Sequence, residues 1–216
     1  QPDLLRDLGA LLRDASRRNG RTIYLLSDEA YSRIVYDGRP FYSPTEYYDQ
    51  SFLLYTYGKT LLAPGERLGY LALPPQIEHR QELREALYMA QITTGYAFPN
   101  AILQHAIADL ERLSVDIAHL QFKRDWLTTE MRAMGYDLHV PEGTFYLLPR
   151  SPIADDWAFV ALLGEHGVSC LPGSTIGCPG YFRISLTASD EMIQRALPAF
   201  AAARQQALHG ALLAAA

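Results

Sequence analysis

The stretch "SFLLYTYGKTLLAPGERLGYLAL", residues 51–73, decides how this chain is built. Two short apolar runs, rich in Leu and Tyr, flank a Gly- and Pro-containing link that carries one lysine, Lys59, and eight positions on an arginine, Arg67. Apolar runs of this length bounded by turn residues predict strands, and the link predicts a loop between them. Working outward, "TIYLLSDEAY" (22–31) is another almost wholly apolar run that ends in acidic and polar residues. That is the pattern of a parallel strand buried on both faces whose C-terminal end opens into a site. Before it, Leu4, Leu5, Leu8, Leu11 and Leu12 recur at helical spacing, and "RRNG" supplies a basic last turn and a glycine stop. Helix and strands together place residues 1–75 in an α/β layer.

From Pro75 to about Met134 the periodicity becomes helical, through "IEHRQELREALYMAQ" and the long stretch from Asn100 to Gly135. After Gly135, "YDLHV", "TFYLLP", "VSCLPG" and "YFRISLT" predict short strands around the helix "DDWAFVALLGEHG". A closing helix, "SDEMIQRALPAFAAARQQA", is opened by the capping residue Ser189, and the Ala-rich end is expected to be a frayed tail. The reading is an α/β fold: the later part of a mainly parallel large domain over residues 1–120, then a small α+β domain over 121–216.

Composition bounds the function. With 216 residues, 49% hydrophobic and 20% charged, the chain is able to bury a sizeable core. A formal net charge of -5 gives no basic field for nucleic acid or an anionic membrane, so anions must be held by local clusters. No apolar run has the length of a membrane span and no leader pattern is visible, which makes the cytoplasm the expected location. Cys170 and Cys178 share one Gly/Pro-rich segment with neither CxxC spacing nor a nearby histidine, so neither a zinc site nor a disulfide framework is indicated. The six histidines are scattered and favour surface or structural roles. "GSTIGCPG" precedes a strand and lacks a P-loop lysine; it reads as a loop. "YYDQSFLLYTY" lacks the interleaved basic residues of a base-stacking surface and reads as a packed strand.

The chemistry-bearing residues stand at strand ends. Asp28 and Tyr31 close the first strand, Thr56, Lys59 and Arg67 follow the second, and Arg183 sits within the last apolar strand, where an arginine is costly unless it meets an anion. Taken singly, each has a bland alternative: Asp28 a turn cap, Lys59 a solvated loop residue, Arg183 a structural ion pair. Their order along the chain shifts the balance.

"SDEAYSRIVYDG", "TYGKTLLAPGERLGY", "PEGTFYLLP" and "VSCLPGSTIGCPGYFRISLT" resemble, in that order, segments of the fold-type I pyridoxal-phosphate enzymes of the class I/II aminotransferase group. The resemblance implies pyridoxal 5'-phosphate as cofactor. It implies Asp28 on the pyridine nitrogen, Tyr31 on the ring oxygen, Lys59 as the Schiff-base lysine, Arg67 and Thr56 on the phosphate, and Arg183 on the substrate α-carboxylate. Lys59, Asp28 and Tyr31 are the catalytic set. An amine must be neutral to attack an aldehyde, and burial beside other cations favours that form. A guanidinium suits phosphate and carboxylate because it donates paired hydrogen bonds in a fixed plane.

The chain also departs from the pattern. Gly58 precedes the lysine where serine or alanine is usual, and Ile176 stands where an aromatic is common. The chain begins at Gln1 without the phosphate-cradling loop, the ring-stacking aromatic and the Asn-Pro segment, so a fragment is expected. The implied function is amino transfer between an amino acid and a 2-oxo acid, by a homodimer that binds neither nucleic acid nor membrane. The turn "TTGYAFPN" (93–100) is the candidate for reaching a partner's site, against simple packing of Tyr96 and Phe98 in the monomer core. Another reaction on the same cofactor, β-elimination or decarboxylation, or the aminotransferase-like effector domain of a transcription regulator, are the alternatives.

Overall fold

The computed structural model describes residues 1–96 and 98–214. The chain forms two compact units, Gln1–Val115 and Asp116–Ala216. At the start of the second unit the carboxylate of Asp116 caps the next helix, accepting the His119 N–H at 2.9 Å.

In the first unit, α1 (Pro2–Asn19) stops at Gly20, whose φ of 62° suits the left-handed C-cap that glycine adopts without a Cβ penalty. β1 (Leu25–Asp28) follows and pairs parallel with β2 (Ser51–Thr56), with Asp28 opposite Leu54. β2 runs into the single-turn helix α2 (Tyr57–Thr60) and pairs antiparallel with β3 (Gly69–Ala72), giving the order β1-β2-β3. At Gly69 the strands approach so closely that a Cβ would lie 2.5 Å from the Tyr55 carbonyl oxygen. β1 was expected to be buried on both faces; instead Leu26 is 61% exposed. The helices α3 (Arg80–Thr93) and α4 (Ala101–Leu110) bury no residue. Leu113 and Val115 then lead to Asp116, so the long helical stretch breaks in two at 111–116.

In the second unit, α5 (Ile117–Ala133), α6 (Asp156–Glu165) and α7 (Asp190–Ala214) accompany a sheet of order β4-β6-β5, built from β4 (Tyr146–Leu147), β5 (Leu171–Pro172) and β6 (Phe182–Ser185), all antiparallel. "YDLHV" forms no strand, yet Tyr136 and Leu138 are buried there. Tyr136, Phe159, Phe182 and Phe200 form an aromatic core with ring centroids 5.1 to 6.5 Å apart. Tyr136 donates its hydroxyl to the Phe200 carbonyl oxygen at 2.9 Å, and burial raises its pKa, so it stays a donor. Ser189 accepts the Met192 N–H at 3.2 Å and opens α7 as expected. α7 continues through Ala214, where a frayed tail was expected; residues 215 and 216 lie outside the described residues.

Candidate active site

Five of the six sequence-predicted residues gather in the first unit, at the C-terminal ends of its two parallel strands, where α/β sheets place ligands. The Oδ1 atom of Asp28 accepts the Ala30 N–H at 3.1 Å, which turns the chain; its Oδ2 makes no hydrogen bond among the described residues. The turn brings Tyr31 back so that the Lys59 ammonium lies 5.5 Å from its ring centroid. Beneath it, the buried Glu29 accepts hydrogen bonds from the hydroxyls of Ser27 and Ser43 and pins the start of the turn.

Lys59 is held by the way β2 ends. Thr56 caps α2: its Oγ1 accepts the Gly58 N–H and donates to the Leu68 carbonyl oxygen, both at 3.2 Å. The segment after α2 folds back, with Pro64 Cα only 3.2 Å from where a Gly58 Cβ would stand, so the residue before the lysine is small for a local reason. The same segment carries Arg67 in a left-handed conformation, φ 54°, with Nη1 donating to the Pro64 carbonyl oxygen at 3.0 Å and the side chain otherwise exposed. Tyr55, Tyr57 and Tyr70 pack around the β2–β3 pair at 5.2 to 6.1 Å between centroids. Burial raises the pKa of Tyr57 and of Tyr70, against a lowering by the nearby Arg33.

The chain has two lysines, and their surroundings differ. Lys123 is buried, donates to the Ala188 carbonyl oxygen at 2.7 Å and pairs with Asp190 at 3.4 Å. Lys59 is half-buried and makes no side-chain hydrogen bond or ion pair among the described residues.

Arg183 belongs to the second unit. β6 alternates, with Phe182 and Ile184 buried and Arg183 and Ser185 on the other face, so the arginine is not sunk in an apolar strand as expected. Its guanidinium lies 4.2 Å from the Tyr146 ring centroid and meets no carboxylate among the described residues. The loop before β6 is tied to α6 by Asp156, which accepts the Ser174 N–H at 2.9 Å, the Gly180 N–H at 3.0 Å and the Ser174 hydroxyl at 2.7 Å. Burial pulls this carboxyl up, but these hydrogen bonds outweigh it and hold its pKa below the ordinary carboxylate value. Gly173 must be glycine, since a Cβ would stand 2.1 Å from the Cys178 carbonyl oxygen. Sequence reasoning missed Asp156, Glu29 and Tyr146. Only the alternation in "TFYLLP" marks Tyr146 as facing away from the core.

The two cysteines are free, and no three His, Cys, Asp or Glu side chains gather as a metal site among the described residues. No described helix is long and apolar enough to cross a membrane.

Residues 10–200 match the model of the family "Aminotransferase class I and II". The chain belongs to the class I and II aminotransferase family. It is 30% identical over 204 residues to a probable N-acetyl-LL-diaminopimelate aminotransferase of Bacillus subtilis, a match that covers 89% of this chain and 48% of that protein. It is 30% identical over 188 residues to the aspartate/prephenate aminotransferase of Thermus thermophilus, covering 82% and 47%. Among solved structures, an aminotransferase from Eubacterium rectale superposes with a TM-score of 0.88 at 32% identity, covering 95% of this chain and 52% of that one. The chain thus spans about half the length of the relatives it matches.

Aminotransferases of this class depend on pyridoxal phosphate. The first unit fits that group by its donor set: among the described residues, an amine on Lys59 with no protein acceptor, a carboxylate oxygen on Asp28 with no donor, and a guanidinium on Arg67 with one N–H engaged. Thr56 fits less simply, because its hydroxyl is already spent on the cap and on Leu68.

Proposed function

We propose that this chain carries the lysine-bearing and carboxylate-binding parts of a pyridoxal-phosphate-dependent aminotransferase that moves an amino group between an amino acid and a 2-oxo acid. The observation that carries the reading is the contrast between the two lysines: Lys123 is consumed by structure, and Lys59, at the end of a parallel strand, makes no side-chain hydrogen bond or ion pair among the described residues and lies over the Tyr31 ring. When bound, the cofactor supplies an aldehyde that captures primary amines and a pyridine ring that takes up electrons. Asp28, with Oδ1 fixed by Ala30, would hold the ring nitrogen protonated through Oδ2. Tyr31 would hydrogen-bond the ring oxygen, and Arg67, with one N–H on Pro64, would hold the phosphate. The Lys59 amine moves the proton at the substrate Cα, as general base and then acid. Arg183 orients the substrate by its α-carboxylate.

A homodimer completes the proposal. The turn 93–100 supports it, since Tyr96 is 84% and Phe98 76% exposed; Ala97 lies outside the described residues. Sedimentation of the cofactor-loaded protein as a monomer would contradict the dimer.

Activity is tested with Lys59→Ala in the loaded enzyme, offered a panel of amino acids with 2-oxoglutarate. Loss of the proton-carrying amine lowers kcat at least about a hundredfold. Amino transfer at the wild-type rate in Lys59→Ala rejects the reading, and elimination or decarboxylation products from the wild type reassign the reaction.

A further inference from the structure

We infer that Tyr146 is a positioning residue for the substrate carboxylate, acting through Arg183; this rests on the assignment of Arg183 made above. In the antiparallel pairing of β4 with β6, Tyr146 stands opposite Ser185, and Leu147 stands opposite Ile184. Residues two apart on a strand share a face, so Arg183 lies diagonally across from Tyr146, within reach of a long side chain. The guanidinium carbon sits 4.2 Å from the ring centroid, well inside the range over which a cation is drawn to an aromatic face. Both partners are anchored from behind. Leu147 and Phe182 are fully buried, Phe145 is buried beside Tyr146 with ring centroids 4.9 Å apart, and Leu171 of β5 pairs with Arg183 on its other side.

An arginine side chain carries large rotamer entropy, part of which is spent whenever it is fixed to bind an anion. Stacking spends it in advance. With the guanidinium carbon 4.2 Å from the ring centroid, the ring holds the guanidinium by its cationic centre, while a carboxylate binds along the N–H edge through two parallel hydrogen bonds. No protein carboxylate occupies it among the described residues. The consequence is specific: Tyr146 orders the group that meets the carboxylate, so it strengthens binding of amino acids and of 2-oxo acids alike, and does nothing for an amine that lacks a carboxylate.

The test uses the cofactor-loaded enzyme and two probes that differ by that one group: 2-methylalanine, an amino acid with no Cα proton to lose, and isopropylamine. Affinities are measured by calorimetry in wild type, Tyr146→Phe, Tyr146→Leu and Arg183→Ala. Tyr146→Leu is expected to weaken 2-methylalanine about tenfold, to leave isopropylamine unchanged, and to be rescued by Tyr146→Phe, which keeps the aromatic face. Tyr146→Gln, of similar length, carries the same expectation where the leucine variant does not fold. If Arg183→Ala weakens 2-methylalanine and Tyr146→Leu does not, the inference on Tyr146 fails while that on Arg183 stands. Equal weakening of both probes by Tyr146→Leu also overturns it. Unchanged affinity in Arg183→Ala removes the assignment of Arg183 and this inference with it.

Discussion

The two units solve the same problem differently. The second, residues 116–216, surrounds a four-ring aromatic core and buries six residues of α5, among them Leu127 at 1% and Met131 at 0% exposure. The first contains two helices, α3 and α4, none of whose residues is buried, and leaves Leu26, Tyr70, Tyr88 and Met89 exposed. Helices shorter than about 15 residues draw most of their stability from tertiary packing. The second unit therefore holds its own elements, whereas the first holds its sheet and strand ends but gives α3 and α4 little. Of the residues assigned to the cofactor, Asp28, Thr56 and Lys59 lie on β1, β2 and the capped turn of α2, whereas Tyr31 and Arg67 stand on the segments that follow β1 and α2.

Breaking the core of the second unit should have the largest effect. Phe182→Ala opens a cavity among Tyr136, Phe159 and Phe200 and should cost about 3–5 kcal/mol. Both tryptophans, Trp126 and Trp157, lie in this unit, so denaturant unfolding followed by tryptophan fluorescence reads it alone. A cost below about 1 kcal/mol would mean the core is not packed as described.

A smaller loss is expected from Asp156→Ala, which leaves two backbone N–H groups and a hydroxyl without their acceptor. Its pH dependence has a definite sign. Because the folded pKa is depressed below the ordinary carboxylate value, the charged form stabilises the fold at every pH above that value, and the contribution disappears as pH falls through the folded pKa. Unfolding curves of wild type and variant should thus differ at neutral pH and converge in acid; a gap that widens on acidification contradicts the assigned hydrogen bonds.

The smallest effect should be in the first unit. Leu26→Thr, at an exposed strand position, should change the stability of the chain by no more than about 0.5 kcal/mol. Amide exchange sharpens the same contrast: α3 and α4 should exchange early and α5 late. Slow exchange in α3 would show that burial understates how firmly that helix is held.

Much of this was legible in the sequence, and for identifiable reasons. The strand ends with Asp28, Thr56 and Lys59 could be read because apolar runs and Gly/Pro punctuation are local signals. The cap at Ser189 is likewise a short-range feature. What could not be read depends on partners distant along the chain. "YDLHV" has a strand's composition, but no neighbouring strand pairs with it, and its Tyr136 instead anchors the core through Phe200, 64 residues on. The stack of Tyr146 on Arg183 depends on the register of β4 against β6, and the clamp by Asp156 on a loop 18 to 24 residues away.

The central claim is that Lys59, and not Lys123, is the lysine that bonds the cofactor. Full-length protein loaded with pyridoxal phosphate, reduced with borohydride, digested and mapped by mass spectrometry tests it most directly. The reduced cofactor is expected on the peptide carrying Lys59, with Lys123 unmodified, since its amine is tied to Ala188 and Asp190. Cofactor found on Lys123, or on no lysine at all, would contradict it.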